Sequence, residues 1–201
     1  MRAILMAGCL LAIAACDSGK TDPNASGNEP PRPFAVEGNE AAVRGAAGAS
    51  RNAVSLLPDG LMITPGAEGG QVTILRFGET QQSVVAALSR DFGQPRFSEN
   101  KECGAGPMQF ADFGEIKANF SGGKFAGWLA EAGKGLKTGD GISPDMPFDE
   151  IEKFGAKRAV ESTLEGEFDL TKAGGGSPMG GFADPDGKTR SLYAGTNCFF
   201  R

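Results

Sequence analysis

The residues best suited to chemistry are three carboxylates near the end of the chain, Glu165, Glu167 and Asp169. They alternate at two-residue spacing, and on a β-strand such side chains lie on one face. Two carboxylates at a suitable separation can hydrolyse a glycosidic bond. The ordinary interpretation of the same pattern is a solvated strand face, which the sequence favours. A carboxylate-dependent hydrolase that uses Glu165 and Glu167 is therefore the last of the functions that we consider.

Nucleophilic catalysis lacks its usual base, because the chain contains no histidine. This excludes Ser-His-Asp and Cys-His sites and removes the commonest zinc ligand. The tripeptide Thr196-Asn197-Cys198 resembles the nucleophilic Asn-Cys of aspartate-semialdehyde dehydrogenases. That family also needs a histidine and a dinucleotide-binding loop, and these residues do not support its chemistry. A disulfide is the better interpretation of Cys198.

Two turns resemble ligand-binding loops without completing them. Gly187-Lys188-Thr189 resembles the end of a phosphate-binding loop, but Phe182 stands where that loop needs a glycine. Residues 184–187 resemble the head of a calcium loop whose distal ligands are missing. We therefore expect no catalytic residue, no cofactor and no metal, and we expect that the protein is not an enzyme.

The N-terminus has the pattern of a targeting segment. An apolar run over residues 3–15 follows Arg2 and is too short to span a membrane. It ends in Ile13-Ala14-Ala15-Cys16, which resembles the lipobox of bacterial lipoproteins. The resemblance implies a signal peptide over residues 1–15, lipidation of Cys16, and anchoring to the inner or outer membrane facing the periplasm. The alternative is an ordinary secretory signal with a chance cysteine.

Residues 16–53 are rich in small and polar residues, which predicts a disordered tether after the lipidated cysteine. The whole chain carries a net charge of -5. An acidic protein of this kind is a poor candidate for binding nucleic acid.

Only Cys103 and Cys198 remain outside the signal and the lipobox. Two leftover cysteines in an oxidising compartment usually pair. Closing so long a loop stabilises a protein by on the order of 4 kcal/mol in the entropic model. Free thiols or a metal site are the alternatives.

A repeated hairpin indicates the architecture. Residues 123–130 and 187–194 both open with a Gly-Lys turn, and each follows a Phe-Gly pair by about thirty residues. We predict an α+β fold of two tandem units, each a helix followed by an antiparallel meander, over residues 54–135 and 136–201. Together they would form a sheet with helices on one face.

Local signals predict the elements of each unit. Thr80 and Gly93 are typical of the two ends of a helix whose inward face includes Val84 and Leu88. A second helix is predicted to begin at residue 145 or 147. Further expectations are strands over 158–163, 165–170 and 196–200, and a mobile Gly-rich loop over 171–181.

The order helix, Gly stop and meander, given twice, resembles β-lactamase inhibitor proteins and small outer-membrane assembly lipoproteins of the SmpA/OmlA type. The resemblance covers about residues 70–201 and rests on Gly78-x-Thr80 and Phe92-Gly93. It implies a concave sheet that binds another protein.

We therefore expect a non-enzymatic envelope lipoprotein with a protein partner. Aromatic and arginine side chains are enriched at binding hot spots, and those on the paired hairpins are Phe125, Trp128, Arg190 and Tyr193. Core packing is the favoured role for Phe125 and Trp128. The alternative function is binding of a small molecule or cell-wall fragment, with residues 174–181 as a lid.

Overall fold

The computed structural model describes residues 52–67, 69–133, 135–171 and 178–199. The predicted signal peptide, the lipidation site at Cys16 and nearly all of the tether lie outside the described residues. No helix within these ranges combines the length and the apolar character that crossing a membrane requires.

The described part of the chain contains twelve strands and two helices. In chain order they are β1 (Ala53–Leu57), β2 (Gly60–Thr64), β3 (Thr73–Arg76), α1 (Gln81–Phe92), β4 (Arg96–Asn100), β5 (Met108–Asp112), β6 (Ile116–Ser121), β7 (Lys124–Glu131), β8 (Lys137–Thr138), α2 (Phe148–Glu152), β9 (Ala156–Arg158), β10 (Glu167–Leu170), β11 (Met179–Ala183) and β12 (Thr189–Gly195).

Two sheets hold these strands. The large sheet has eight strands in the order β4-β5-β6-β7-β12-β11-β10-β9, and every neighbouring pair is antiparallel. The small sheet has four strands in the order β3-β2-β1-β8. The fold is a mixed α+β structure dominated by sheet, which confirms the predicted fold class at that level.

Helix α1 begins and ends where the sequence predicts. The Thr80 hydroxyl accepts a hydrogen bond from the amide of Ser83 at 3.2 Å, as a helix N-cap does. Gly93 ends the helix with a φ of 79°, a conformation that favours glycine. Val84 and Leu88 are buried in the core.

Three predicted strands and loops differ in the structure. The 158–163 strand is mostly a turn, because β9 ends at Arg158. Residues 179–181 of the predicted mobile loop belong to β11, whereas residues 172–177 lie outside the described residues. The predicted closing strand over 196–200 is wrong for residues 196–199, and residue 200 lies outside the described residues. Strand β12 ends at Gly195, whose φ of 68° turns the chain away from the sheet.

The core lies on one face of the large sheet. Buried residues of α1, α2, the small sheet and the large sheet form one apolar cluster. The Trp128 indole N–H donates to the carbonyl oxygen of Leu57 at 2.9 Å, so the centre of the large sheet is hydrogen-bonded to the small sheet.

The predicted cysteine pair is present. Cys103 and Cys198 form a disulfide with a Cα–Cα distance of 5.1 Å. Cys103 lies in the loop between β4 and β5, and Cys198 follows β12. The bridge therefore joins two parts of the chain that are 95 residues apart.

Candidate binding face of the large sheet

We call the face of the large sheet that points away from the core the outer face. Side chains alternate between the two faces of a strand, so the neighbours of core residues such as Trp128 and Ala130 lie on it. The strand registers align one outer-face residue from each strand into a row. Across the sheet this row reads Arg96, Asp112, Lys117, Leu129, Tyr193, Gly180, Asp169 and Lys157.

Residues 196–199, which we call the tail, cross part of the outer face. The Thr196 amide donates to the carbonyl oxygen of Ala126 at 2.8 Å. The close approach needs a glycine on β7, because a Cβ on Gly127 would lie 2.3 Å from the Thr196 carbonyl oxygen. The disulfide at Cys198 then attaches the tail to the β4–β5 loop.

A cavity of about 370 Å³ lies between the tail and the strands of the first half of the sheet. We call it the tail cavity. Its lining is Ser98, Glu99, Asn100, Phe110, Lys117, Asn119, Leu129, Asn197, Cys198 and Phe199. A smaller cavity of about 90 Å³ adjoins it, and the two share Lys117 and Leu129.

Charged side chains of both signs surround the tail cavity. Glu99 is paired with Lys101 at 3.5 Å, and Arg96 is paired with Asp112 at 3.1 Å. Lys117 forms no ion pair within the described part of the chain. Lys117 stands opposite Asp112 in the strand register and lines the smaller cavity with Asp112, Glu115 and Glu131.

Asn119 is the buried polar residue of the cavity, with 2% of its surface exposed. Its Nδ2 donates to Asn197 Oδ1 at 2.6 Å and to the Thr196 carbonyl oxygen at 3.3 Å. Asn197 Nδ2 in turn donates to the carbonyl oxygen of Ala194 at 3.1 Å. These bonds fix the orientation of both amides, and Asn119 Oδ1 has no hydrogen-bond partner among the described residues.

Tyr193 lies on the outer face beside the tail. Its ring centroid is 4.9 Å from that of Phe199 and 5.5 Å from that of Phe182, and its hydroxyl donates to Glu167 Oε1 at 2.6 Å. A Cβ on Gly180 would lie 2.5 Å from the tyrosine ring. The glycines at 180 and 181, predicted as part of a lid, instead make room for aromatic rings.

Arg190 lies at the edge of the aromatic cluster of Phe182, Tyr193 and Phe199. Its Nε is 3.0 Å from Asp184 Oδ1, and its guanidinium carbon lies 5.9 Å from the centre of the Phe182 ring. Arg190 and Tyr193 are thus at the surface, as the partner-binding prediction requires. Phe125 and Trp128 are 1% and 0% exposed, so their large apolar side chains belong to the core. These two residues are not part of the candidate binding surface.

The predicted row of three carboxylates forms only in part. Glu165 lies in the turn before β10 and is exposed, while Asp169 is exposed on the outer face. Glu167 is 4% exposed and accepts hydrogen bonds from Tyr193 and Ser162. These bonds give Glu167 a role in holding the Tyr193 ring in place.

Sequence reasoning missed the residues that line the tail cavity. Lys117 and Asn119 alternate with Ile116, Ala118 and Phe120, a signal that they face away from the core. That signal does not identify which strands adjoin β6 or that the tail returns across it. The cavity therefore depends on the strand register and on the tail, neither of which the alternation contains.

Within the described ranges, no group of three or more His, Cys, Asp or Glu side chains is arranged to hold a metal ion. No protein-family model matches the chain, and neither a curated protein nor a solved structure is significantly similar to it.

Proposed function

We propose that this chain is a non-enzymatic lipoprotein of the bacterial cell envelope, anchored through Cys16, that binds a protein partner through the outer face of its large sheet. The anchor rests on the lipobox-like residues 13–16. The binding role rests on the side chains of the outer face. Arg190 and Tyr193 lie on the second half of that surface, and Lys117 and Leu129 lie on the first.

The observation that carries the proposal is the row of outer-face side chains with the tail cavity beside it. The row mixes charged residues with Leu129 and Tyr193, which matches the composition of protein interfaces, where an aromatic and apolar centre has a polar rim. The disulfide holds the tail across this face. A surface that is fixed in this way loses little conformational entropy when a partner binds.

We also infer that the two halves of the large sheet belong to the predicted tandem units, β4–β7 to residues 54–135 and β9–β12 to residues 136–201. The amide of Gln81 donates to the Gly123 carbonyl oxygen at 2.9 Å, and that of Phe148 donates to the Gly187 carbonyl oxygen at 2.8 Å. Each helix start therefore bonds to a Gly-Lys turn of the repeated hairpin. This arrangement supports the resemblance to β-lactamase inhibitor proteins and SmpA/OmlA-type lipoproteins.

The test is cross-linking of the full-length lipidated protein in native membranes, followed by capture and mass spectrometry. Lys117→Glu reverses a charge in the middle of the outer face and is expected to reduce capture of the specific partner at least tenfold. Lys137→Glu makes the same change on β8, away from the outer face, and is the matched control. Equal capture by both variants and the wild-type protein would contradict the proposal.

A further inference from the structure

We propose that the tail cavity binds a short neutral oligosaccharide, a ligand whose hydroxyl groups both donate and accept hydrogen bonds. This inference goes beyond the proposed function, because it gives the first half of the outer face a ligand that is not a protein. It rests on the side chains that line the tail cavity and the smaller cavity beside it.

The charges of the lining favour a ligand without net charge. Glu99 and Lys117 carry opposite charges in the tail cavity, and Lys117 lies with Glu115 and Glu131 in the smaller one. An anion bound here meets the carboxylates, and a cation meets the ammonium group. Hydroxyl groups suit both kinds of side chain, because they donate to carboxylates and accept from ammonium groups.

Three polar side chains of the lining have hydrogen-bonding capacity that the protein does not use. Ser98, Lys117 and Glu131 form no side-chain hydrogen bond or ion pair with the residues that the structure describes. Ser98 and Glu131 are exposed, and Lys117 is partly exposed. A ligand can therefore bond to a hydroxyl, an ammonium and a carboxylate without breaking a bond within the protein.

Phe110 supplies an apolar surface beside these polar groups. It stands opposite Ser98 on one side and Asn119 on the other, so it belongs to the outer face, where it is partly exposed and lines the tail cavity. The face of an aromatic ring carries partial negative charge and attracts C–H groups. A sugar ring can pack its C–H groups on Phe110 while its hydroxyl groups reach the polar lining.

The two cavities adjoin along β6, since they share Lys117 and Leu129. Their linings extend along this strand from Ile116 to Asn119, a length of roughly 10 Å at the rise of a strand. The tail cavity, at about 370 Å³, lies at the small end of the range for ligand pockets, about 300–1,000 Å³. This space suits a short, extended chain of sugar rings.

The tail forms a fixed wall of the site. Cys198 is bonded to Cys103 in the β4–β5 loop, and Asn197 Oδ1 accepts a hydrogen bond from Asn119 Nδ2 at 2.6 Å. The wall is therefore attached both covalently and by a buried amide. A cavity that is held in shape before binding loses little conformational entropy when a ligand fills it.

Calorimetric titration of the full-length protein with triacetylchitotriose, a neutral and extended trisaccharide, tests the proposal. The protein is kept in micelles of a detergent without a sugar headgroup. We expect saturable binding with the same affinity at low and high salt, because no net charge is neutralised. The fully deacetylated trimer is cationic at neutral pH, and tighter, salt-sensitive binding of that trimer would overturn the assignment.

Variants locate the interaction. Phe110→Leu keeps an apolar side chain but removes the ring, and it is expected to weaken binding at least tenfold. Phe97→Leu is the matched control and should leave the affinity unchanged, because Phe97 is 59% exposed and stands opposite the core residue Ala111, on the other face of the sheet.

Lys117→Met removes the ammonium group and retains an unbranched side chain, so it tests the polar lining independently of the ring. It is expected to weaken binding at least threefold. Urea unfolding of each variant checks that the fold is retained. Absence of saturable binding to the wild-type protein, or unchanged affinity in both Phe110→Leu and Lys117→Met, would overturn the proposal.

The oligosaccharide and the protein partner are tested separately. If the trisaccharide does not bind and partner capture still depends on Lys117, this inference fails while the proposed function stands. If the trisaccharide binds as expected and capture is the same for Lys117→Glu and the wild-type protein, the oligosaccharide site stands and the protein-binding proposal fails.

Discussion

The two halves of the large sheet, β4–β7 and β9–β12, share one backbone contact between the start of a helix and a hairpin turn. In the first half the Gln81 amide bonds to the Gly123 carbonyl oxygen, and in the second the Phe148 amide bonds to that of Gly187. In both, the residue before the helix forms an isolated bridge with the lysine of the turn. This hydrogen bond and this bridge are thus common to the two halves.

The side chains at the next position differ. Phe125 follows the first turn, and its ring centroid lies 5.1 Å from that of Phe77 and 5.9 Å from that of Phe120. Thr189 follows the second turn, is 2% exposed, and its hydroxyl has no hydrogen-bond partner among the described residues. The same backbone arrangement is therefore filled by aromatic packing in one half and by a small polar side chain in the other.

In the second half, aromatic packing comes from residues outside the repeated hairpin. The rings of Phe148 and Phe168 lie 5.1 Å apart, and the Arg158 guanidinium carbon is 4.0 Å from the centre of the Phe148 ring. The comparison teaches that the two halves share a main-chain contact between turn and helix, while their aromatic packing comes from different positions. Four sets of substitutions can break or sharpen it.

The largest effect is expected from removing the disulfide between Cys103 and Cys198. The double variant Cys103→Ser, Cys198→Ser opens a bridge across 95 residues and should lower the free energy of unfolding by on the order of 4 kcal/mol. Urea unfolding with and without reductant measures it. Wild-type protein in reductant should match the double variant; an unchanged midpoint in both would contradict the prediction.

Phe125→Ala should destabilise the protein by about 3 kcal/mol, because it leaves a cavity beside two other rings. The counterpart Thr189→Ala should cost less than about 1 kcal/mol, since it deletes little apolar volume. Thermal and urea unfolding compare the two variants. Equal losses of unfolding free energy in the two variants would mean that the Thr189 side chain contributes as much to packing as the Phe125 ring.

Thr189→Val should stabilise the protein by about 1.5 kcal/mol, because it replaces a buried hydroxyl that lacks a partner with a methyl group of similar shape. Thr189→Ser keeps the hydroxyl and is the control, for which no gain is expected. A loss of stability in the valine variant would show that the hydroxyl has a hydrogen-bond partner in solution.

The smallest effect is expected at the helix start. Thr80→Ala removes the cap of α1 and should cost about 1 kcal/mol, whereas Thr80→Ser retains it. Pro147, at the corresponding position before α2, makes no side-chain cap hydrogen bond, so Pro147→Ala has no such bond to lose. Urea unfolding of the three variants tests whether only the first helix depends on its cap.

Local signals predicted the parts of the fold that depend on local physics. Thr80 and Gly93 mark the ends of α1 because capping involves only nearby residues. The disulfide followed from counting cysteines. Gly195 gave no comparable signal, because the turn there is stabilised by docking of residue 196 against Ala126, which is distant in sequence.

The candidate site was less predictable because it also depends on contacts between residues that are distant in sequence. An aromatic residue on a strand fits a core and an interface equally well, and only the packed structure separates the buried Trp128 from the partly exposed Tyr193. Lys117 and Asn119 gain their significance from their cross-strand neighbours and from the tail. Such long-range pairings are not encoded in any short stretch of the sequence.

Trp128 also provides an optical reporter. It is the chain's only tryptophan, it is fully buried, and its indole N–H is hydrogen-bonded to Leu57 at the end of β1. Its fluorescence therefore senses whether the small sheet is docked. If the small sheet separates before the large sheet unfolds, the emission will shift to longer wavelength while most of the far-ultraviolet circular dichroism of the protein persists. Such a difference between the two signals would resolve two cooperative units in a single titration.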